Sequence, residues 1–283
     1  VAGQSVNPEE VQRIVETALT EDVGTGDVTT LATIPAQQSD TADLVARAPG
    51  IVAGLFVARA VFETVGAGRS LEWVSHVDDG ARVARGDLIA TVTGPTRVLL
   101  TAERTALNLL CRLSGVATHT RAWAEALAGT KAQVLDTRKT TPGLRVLEKY
   151  AVRVGGGTNK RMGLYDVAMI KDNHKLAAGG LTAAFRRVRE TFPAVPIQVE
   201  VTTVAEAVEA VEAGADFLLL DNMSPELLRA VVAVVGDRAE LEATGGLTLD
   251  RVREYAETGV DYLSVGALTH SSPILDIALD LRT

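Results

Sequence analysis

The sequence predicts an α/β protein whose larger part is a parallel sheet wrapped by helices and closed into an irregular barrel. Three observations carry this. From about residue 132 short apolar runs recur: QVLDT, VAMIKD, IQVEV, FLLLD, LEATGG and YLSVGA. Helical stretches separate most of them, among them LRVLEKYAVRV, LTAAFRRVRETF, VAEAVEAVEAG, PELLRAVVAVVG and LDRVREYAETG. Such alternation favours parallel strands with helices outside. Hydrophobic residues supply 47% of the 283 positions but aromatics only 4%, so the core is Val, Leu, Ile and Ala, as in buried parallel sheets. Glycine stops, in AGADFLLLDN and TGVDYLSVGA, stand just before new strands. Six strands are fewer than the eight of a complete barrel. An open doubly wound sheet is the second reading.

Before residue 100 the chain has a different character. ADLVARAPGIVAG and LEWVSHVDDGARVARGDLIATVTGP alternate apolar and polar residues, and Gly80 and Gly86 bracket the alternation, which predicts hairpins of a small sheet. These hairpins resemble those of biotinyl or lipoyl carrier domains, but no lysine sits between their halves to carry a cofactor. Residues 102–128, AERTALNLLCRLSGVATHTRAWAEALA, read as one or two helices interrupted at Gly115. The expected division is an N-terminal domain over 1–107 and a barrel over 108–270. The amphipathic tail 271–283 is expected to return to the first domain.

Composition excludes several function classes. Lys and Arg number 28 against 36 Asp and Glu, a net charge of −8, which argues against a nucleic-acid partner while allowing a local basic pocket. No apolar run approaches the ~20 residues of a membrane span. The first ten residues, VAGQSVNPEE, have neither a basic start nor an apolar centre, so no secretory signal is expected. One cysteine, Cys111, rules out an internal disulfide and a Cys-rich metal cluster, and its apolar setting, ALNLLCRLSG, reads as a buried thiol. The four histidines, His76, His119, His174 and His270, show no zinc spacing. The expectation is a soluble, cytoplasmic protein without membrane contact.

The chemistry lies where the strands end. The first strand runs into Asp136, Arg138 and Lys139, the second into Lys171, Asp172, Asn173 and His174. Glu200 lies in the third strand, Asp221 and Asn222 close the fourth, Glu242 and Thr244-Gly245-Gly246 the fifth, and Gly266 follows the last. In parallel α/β proteins the C-terminal strand ends form one face, so these residues are expected at a single mouth. Any one of them, Asp172 or Glu242 for example, has an ordinary reading as a partner of loop amides or neighbouring charges. Six in succession are harder to assign to solvation. GGGTNKRMG (155–163) adds Lys160 and Arg161 behind a run of glycines and fits neither a P-loop nor a dinucleotide fingerprint. Arg138, Lys139, Lys160, Arg161 and Lys171 gather positive charge, while Glu200 and Asp221 are candidate holders of a divalent cation. That combination suits a phosphorylated polyanion with magnesium. Gly245, Gly246 and Gly266 would bare backbone N–H groups to a phosphate. Paired carboxylates also occur in glycoside hydrolysis, which does not call for five cations.

Several strings resemble quinolinate phosphoribosyltransferases: EDVGTGDVT (21–29), ERTALNLL (103–110), SGVAT (114–118), DTRKTTPGLR (136–145), KYAVRVGGG (149–157), IKDNH (170–174), LLDN (219–222), TGGLT (244–248) and VGALTHS (265–271). The resemblance spans nearly the whole chain. It implies an N-terminal α/β sandwich domain followed by an incomplete α/β barrel. It implies the substrates quinolinate and phosphoribosyl pyrophosphate, magnesium as cofactor, and a homodimer whose site borrows residues across the interface. Arg104 would reach the neighbouring subunit's substrate, and Arg138 and Arg161 would clamp carboxylates. Lys139 and Lys171 would face substrate and pyrophosphate, and Glu200 and Asp221 the ribose and metal. Thr244, at a place often held by serine, would bind phosphate with Gly245, Gly246 and Gly266. One position departs: the family usually has histidine where this chain has Lys160, a residue implied to meet a substrate carboxylate. Two alternatives stand beside this reading: the same transfer to nicotinate or another pyridine acid, and a non-catalytic anion-binding or carrier module.

Overall fold

A computed structural model describes residues 6–282. Residues 1–5, part of the stretch read above for a secretory signal, and the last residue of the tail, 283, lie outside the described residues. Two compact units emerge: one comprises residues up to 121, residues 141–156 and those from 271 on, and the other residues 122–140 and 157–270.

Along the chain, α1 (Pro8–Val23) and α2 (Val28–Thr33) precede β1 (Ser39–Ala46), β2 (Gly50–Ile51), α3 (Leu55–Gly66), β3 (Glu72–Ser75), β4 (Arg82–Val83) and β5 (Leu88–Pro95). Then come α4 (Thr96–Ala126), β6 (Gln133–Leu135), α5 (Arg145–Val154), β7 (Ala168–Ile170), α6 (Asp172–Ala178), α7 (Leu181–Thr191), β8 (Ile197–Val201) and α8 (Val204–Glu212). The chain closes with β9 (Phe217–Asp221), α9 (Pro225–Val235), β10 (Glu240–Thr244), α10 (Val252–Ala256), β11 (Tyr262–Ser264), α11 (Ala267–His270) and β12 (Ile277–Leu281).

In the first unit the sheet runs β12-β1-β5-β3, and all its pairs are antiparallel. Period-two alternation buries Ala42, Leu44 and Ala46 of β1 and leaves Asp43 on the other face. The tail adds β12 to β1, in register from Ala42 opposite Leu281 to Ala46 opposite Ile277, and Arg282 Nε reaches Asp43 Oδ2 at 2.8 Å. Part of the EDVGTGDVT string has a local explanation: Asp27 caps α2, accepting from Thr30 N at 3.0 Å.

Two expectations change in this unit. Helix α4 is not interrupted at Gly115; it runs for 31 residues. The glycine is there because a Cβ would lie 2.0 Å from the carbonyl oxygen of Pro273, so it answers a close approach of two backbones rather than a helix break. Helix α5, read above as the first helix of the alternation, sits in this unit too. Its fully buried Glu148 accepts from Arg112 Nη2 at 2.8 Å and from Thr141 N at 2.9 Å, contacts that bind it to α4 and its own N-terminal loop.

The second unit is an incomplete parallel barrel, a six-stranded sheet in the order β6-β11-β10-β9-β8-β7. Strands β6 and β7 end it, and no ladder joins them among the described residues. At the β6 end a single-residue bridge takes the place of a strand: Thr158 N donates to Val134 O at 2.8 Å and Asp136 N to Thr158 O at 3.2 Å. Capping side chains start the helices that follow β8 and β9, Thr203 accepting from Glu206 N and Ser224 from Leu227 N. Ala207 and Ala210 of α8, and Leu228 and Val231 of α9, face the core. No described helix is long and apolar enough to cross a membrane.

The contact at Gly115 reverses the usual helix preference. Gly115→Ala gains propensity, yet it should destabilise by about 2 kcal/mol or more, because backbone cannot yield as a side chain would. Urea unfolding checks this; a variant as stable as the parent would refute the account of Gly115.

Candidate active site

Period-two geometry decides which side chains meet inside the incomplete barrel. It puts Gln198 and Glu200 on one face of β8, Leu219 and Asp221 on one face of β9, and Glu242 and Thr244 on one face of β10. A cavity of about 400 Å³ opens at these strand ends. Its walls hold Arg138, Lys139, Lys160, Arg161 and Lys171, together with Glu200, Asp221, Thr244 and Gly266. Of the residues singled out from sequence, Gly245 and Gly246 stand in the loop after β10 rather than in the wall. Arg104 is exposed on α4, in the other unit, and is not a lining residue. Thr137, Met169, Leu219 and Ser264 line the cavity and were missed. For Leu219 the signal was available, since it is two residues along β9 from Asp221, on the same face.

The cations are held in different ways. Arg161 donates from Nη1 to the carbonyl of Val167 at 3.0 Å and from Nη2 to Met169 Sδ at 3.6 Å, so its planar fork has a fixed orientation. Burial, and then the charge of Arg138, lower the Arg161 pKa from the ordinary arginine value. The turn after it is tied by Asp166, which accepts from Met162 N at 2.7 Å and Gly163 N at 3.1 Å. Lys139 is placed through its backbone: its N–H donates to Thr137 Oγ1 at 3.0 Å and its carbonyl accepts from Thr269 Oγ1 at 2.7 Å. Lys171 is half exposed and stands 3.5 Å from Glu200 Oε2.

Lys160 differs from the rest. Its ammonium pairs with Glu242 Oε1 at 2.5 Å, and the side chains are 10% and 0% exposed respectively. Burial pulls the Lys160 pKa down, and Glu242 opposes that shift. The other oxygen of Glu242 accepts from Gln198 Nε2 at 2.6 Å. Glu242 therefore realises the ordinary alternative stated for it: it pairs with a neighbouring charge.

The two loops after β9 and β10 interlock. Asn222, at φ +51°, donates from its backbone to Thr244 O at 2.9 Å and from Nδ2 to Asp221 Oδ2 at 3.0 Å. Gly245 has φ +97°, and a Cβ there would lie 2.1 Å from Asn222 Oδ1, so only glycine allows this contact. Asp221 is thereby oriented at the mouth together with Glu200. A second cavity, of about 610 Å³, shares Arg138, Arg161, Met169 and Lys171 with the first and continues over Ala168, Ile170, Ala184 and Val188.

A cation-walled mouth with two carboxylates, at the strand ends of an incomplete parallel barrel, defines an enzyme for small polyanions, one of the phosphate-handling barrels. The family model for the N-terminal domain of quinolinate phosphoribosyl transferase matches residues 27–114, and that for the C-terminal domain matches residues 116–280. The chain is 48% identical over 271 residues to the carboxylating nicotinate-nucleotide pyrophosphorylase of Mycobacterium leprae, covering 94% of this chain and 95% of that one. It is 41% identical to a probable enzyme of that name from Bacillus subtilis, covering 98% and 95%. The crystal structure of NadC from Streptococcus pyogenes superposes with a TM-score of 0.95 at 38% identity, covering 99% of both chains. The chain belongs to the quinolinate phosphoribosyl transferase family.

A mouth built this way should bind pyrophosphate, and the binding should weaken about tenfold in Lys139→Met, a loss of ~1.4 kcal/mol. Isothermal titration calorimetry at constant ionic strength measures this. Equal affinity in the variant would remove Lys139 from the anion site.

Proposed function

We propose that this protein transfers the phosphoribosyl group of phosphoribosyl pyrophosphate to quinolinate and decarboxylates the product. Nicotinate mononucleotide, pyrophosphate and carbon dioxide result, a step of NAD biosynthesis. The observation that carries the reading is the set of oriented cations around one cavity, in a chain whose family handles these two polyanions. Quinolinate bears two carboxylates on adjacent carbons, and the planar forks of Arg138 and Arg161 suit them. Lys139 and Lys171 face the pyrophosphate, and Thr244, Gly245, Gly246 and Gly266 receive the ribose 5′-phosphate.

The chemistry asks mainly for orientation and placed charge. The bond from ribose C1 to pyrophosphate breaks, and the pyridine nitrogen bonds to that carbon. Glu200 and Asp221 supply negative charge where the ribose carbon becomes cationic. The now quaternary ring accepts the electron pair left when the bond to the 2-carboxylate breaks, carbon dioxide leaves, and a proton takes its place. The same two carboxylates fit magnesium, which is bound in phosphate sites by one or two carboxylates plus substrate oxygens. Held there it would neutralise charge on the pyrophosphate oxygens.

A homodimer is part of this reading. Arg104 stands exposed on α4, and Leu164, Tyr165 and Leu176 are 74%, 79% and 83% exposed on the barrel unit, apolar surface that a second subunit would cover. Arg104 would then enter the partner's site. A cytoplasmic setting is supported by the lone cysteine, which requires no oxidising compartment.

The central test is mononucleotide formation from phosphoribosyl pyrophosphate, magnesium and either quinolinate or nicotinate. Product from quinolinate alone is expected; product only from nicotinate would overturn the substrate assignment. Arg161→Lys keeps the charge and loses the fork, so kcat/KM for quinolinate should fall by about 10- to 100-fold, or ~1.5–3 kcal/mol. An unchanged value would remove Arg161 from carboxylate recognition. Mixing inactive Arg104→Ala and Lys139→Ala chains should restore part of the activity if sites are shared. No recovery after demonstrated subunit exchange would count against sharing.

A further inference from the structure

We propose that Glu242 is a positioning residue for the acid-binding wall: it fixes the Lys160 ammonium there as a standing charge without itself reaching the substrate. The proposal rests on the quinolinate reading above and goes beyond it in naming what sets the wall. Three observations carry it. Glu242 is fully buried and is not a lining residue, whereas Lys160 is both its partner and part of the wall. The carboxylate is held from two sides, by Lys160 Nζ on Oε1 at 2.5 Å and by Gln198 Nε2 on Oε2 at 2.6 Å. Gln198 accepts a cost for this: its buried Oε1 has no hydrogen-bond partner among the described residues. Turning the amide over would aim that oxygen at the carboxylate, so the charge of Glu242 decides the amide's orientation.

Lys160 itself has little freedom. Its backbone N–H donates to Asp136 Oδ1 at 2.7 Å, and the preceding Asn159 donates from Nδ2 to Asp136 Oδ2 at 2.7 Å. Of the three N–H donors of an ammonium, Oε1 of Glu242 takes one. The other charges around the wall are Arg161 on the same segment, Arg138 and Lys139 after β6, Lys171 after β7, and the carboxylates Glu200 and Asp221. Cations outnumber acids there, and burial adds to their pressure on Lys160 to lose its proton. Glu242 is the carboxylate in direct contact that resists this. With Glu242 neutralised, Lys160 would be charged at low pH and uncharged at high pH, and recognition of the substrate carboxylate would follow it.

The experiment compares the parent, Glu242→Gln, Lys160→Met and the double variant, each checked for native circular dichroism. The KM for quinolinate is measured at saturating phosphoribosyl pyrophosphate and magnesium. Taking the ratio of variant to parent removes titrations the two share. The ratio for Glu242→Gln should climb at least about tenfold between about pH 7 and pH 9.5, with kcat changed far less. The ratio of the double variant to Lys160→Met should stay flat, because the group that titrates is gone. The double variant should also melt above Lys160→Met, which keeps a buried carboxylate without its cation. A flat Glu242→Gln ratio, or an equal climb in the Lys160→Met background, overturns the proposal. If neither Glu242→Gln nor Glu242→Met folds as the parent does, the pair is a structural brace and the proposal fails. A parent protein inactive on quinolinate would instead bring down the functional reading on which this one stands.

Discussion

The carboxylate of Asp136 is the constraint on which the site depends. It is fully buried at the end of β6, where an ion without donors is prohibitively costly. Its donors include the Asn159 side chain and the Lys160 amide, both at 2.7 Å, and the backbone bridge to Thr158 runs alongside. Strand β6 ends the sheet, so no further barrel strand fixes the path of the chain there. The demand of one buried acid does so instead. It sets where residues 158–160 run, and therefore where Lys160 and Arg161 point. The glycines that precede them, at 155–157, give a path to this segment, but the aim comes from Asp136.

The same logic explains how five cations share one small cavity. Two unit charges 4 Å apart repel by about 4 kcal/mol at the effective dielectric of a protein surface, a large term against a folding stability of about 5–15 kcal/mol. Three of the cations are relieved in different ways. Lys171 keeps half its surface in water and has Glu200 nearby. Arg161 spends two donors on a carbonyl and a sulfur, groups that orient it without neutralising it. Lys160, the deepest, has a full carboxylate. The consequence for function is preorganisation: positive charge is in place before the anion arrives, and less reorganisation remains for binding to supply.

Most of this was legible in the sequence where a residue's role is local. Parallel strands that run into Arg138, Lys171, Glu200, Asp221 and Thr244 announce a mouth because their common direction carries these residues to one end. What escaped was set by distant partners. Glu242 meets Lys160 across 82 positions, and no periodicity connects a strand to a loop so far away. Gly115 looks like a helix breaker until Pro273 appears beside it. Helix α5 follows a barrel strand in sequence, and only distant partners, Arg112 of α4 and Asp79 among them, reveal that it packs elsewhere. Ser264 and Met169 were passed over for another reason: neutral side chains do not stand out against charged ones, even in the wall of the same cavity.

The lysine at position 160 fits these constraints. A histidine titrates near neutrality, so in this wall it would carry a charge that depends on conditions. Lysine carries its charge on a longer arm and brings a pKa far above neutrality, of which burial removes a part. That exchange is tolerable only where a carboxylate stands within the reach of the longer arm, since a buried ammonium without a partner is far costlier than a buried imidazole, which can stay neutral. Glu242 stands there, with Gln198 holding its second oxygen. Lys160 is thus not an added cation in an already positive cavity. It belongs to a neutral pair whose positive end lines the cavity, and it adds less net charge there than a lone lysine would.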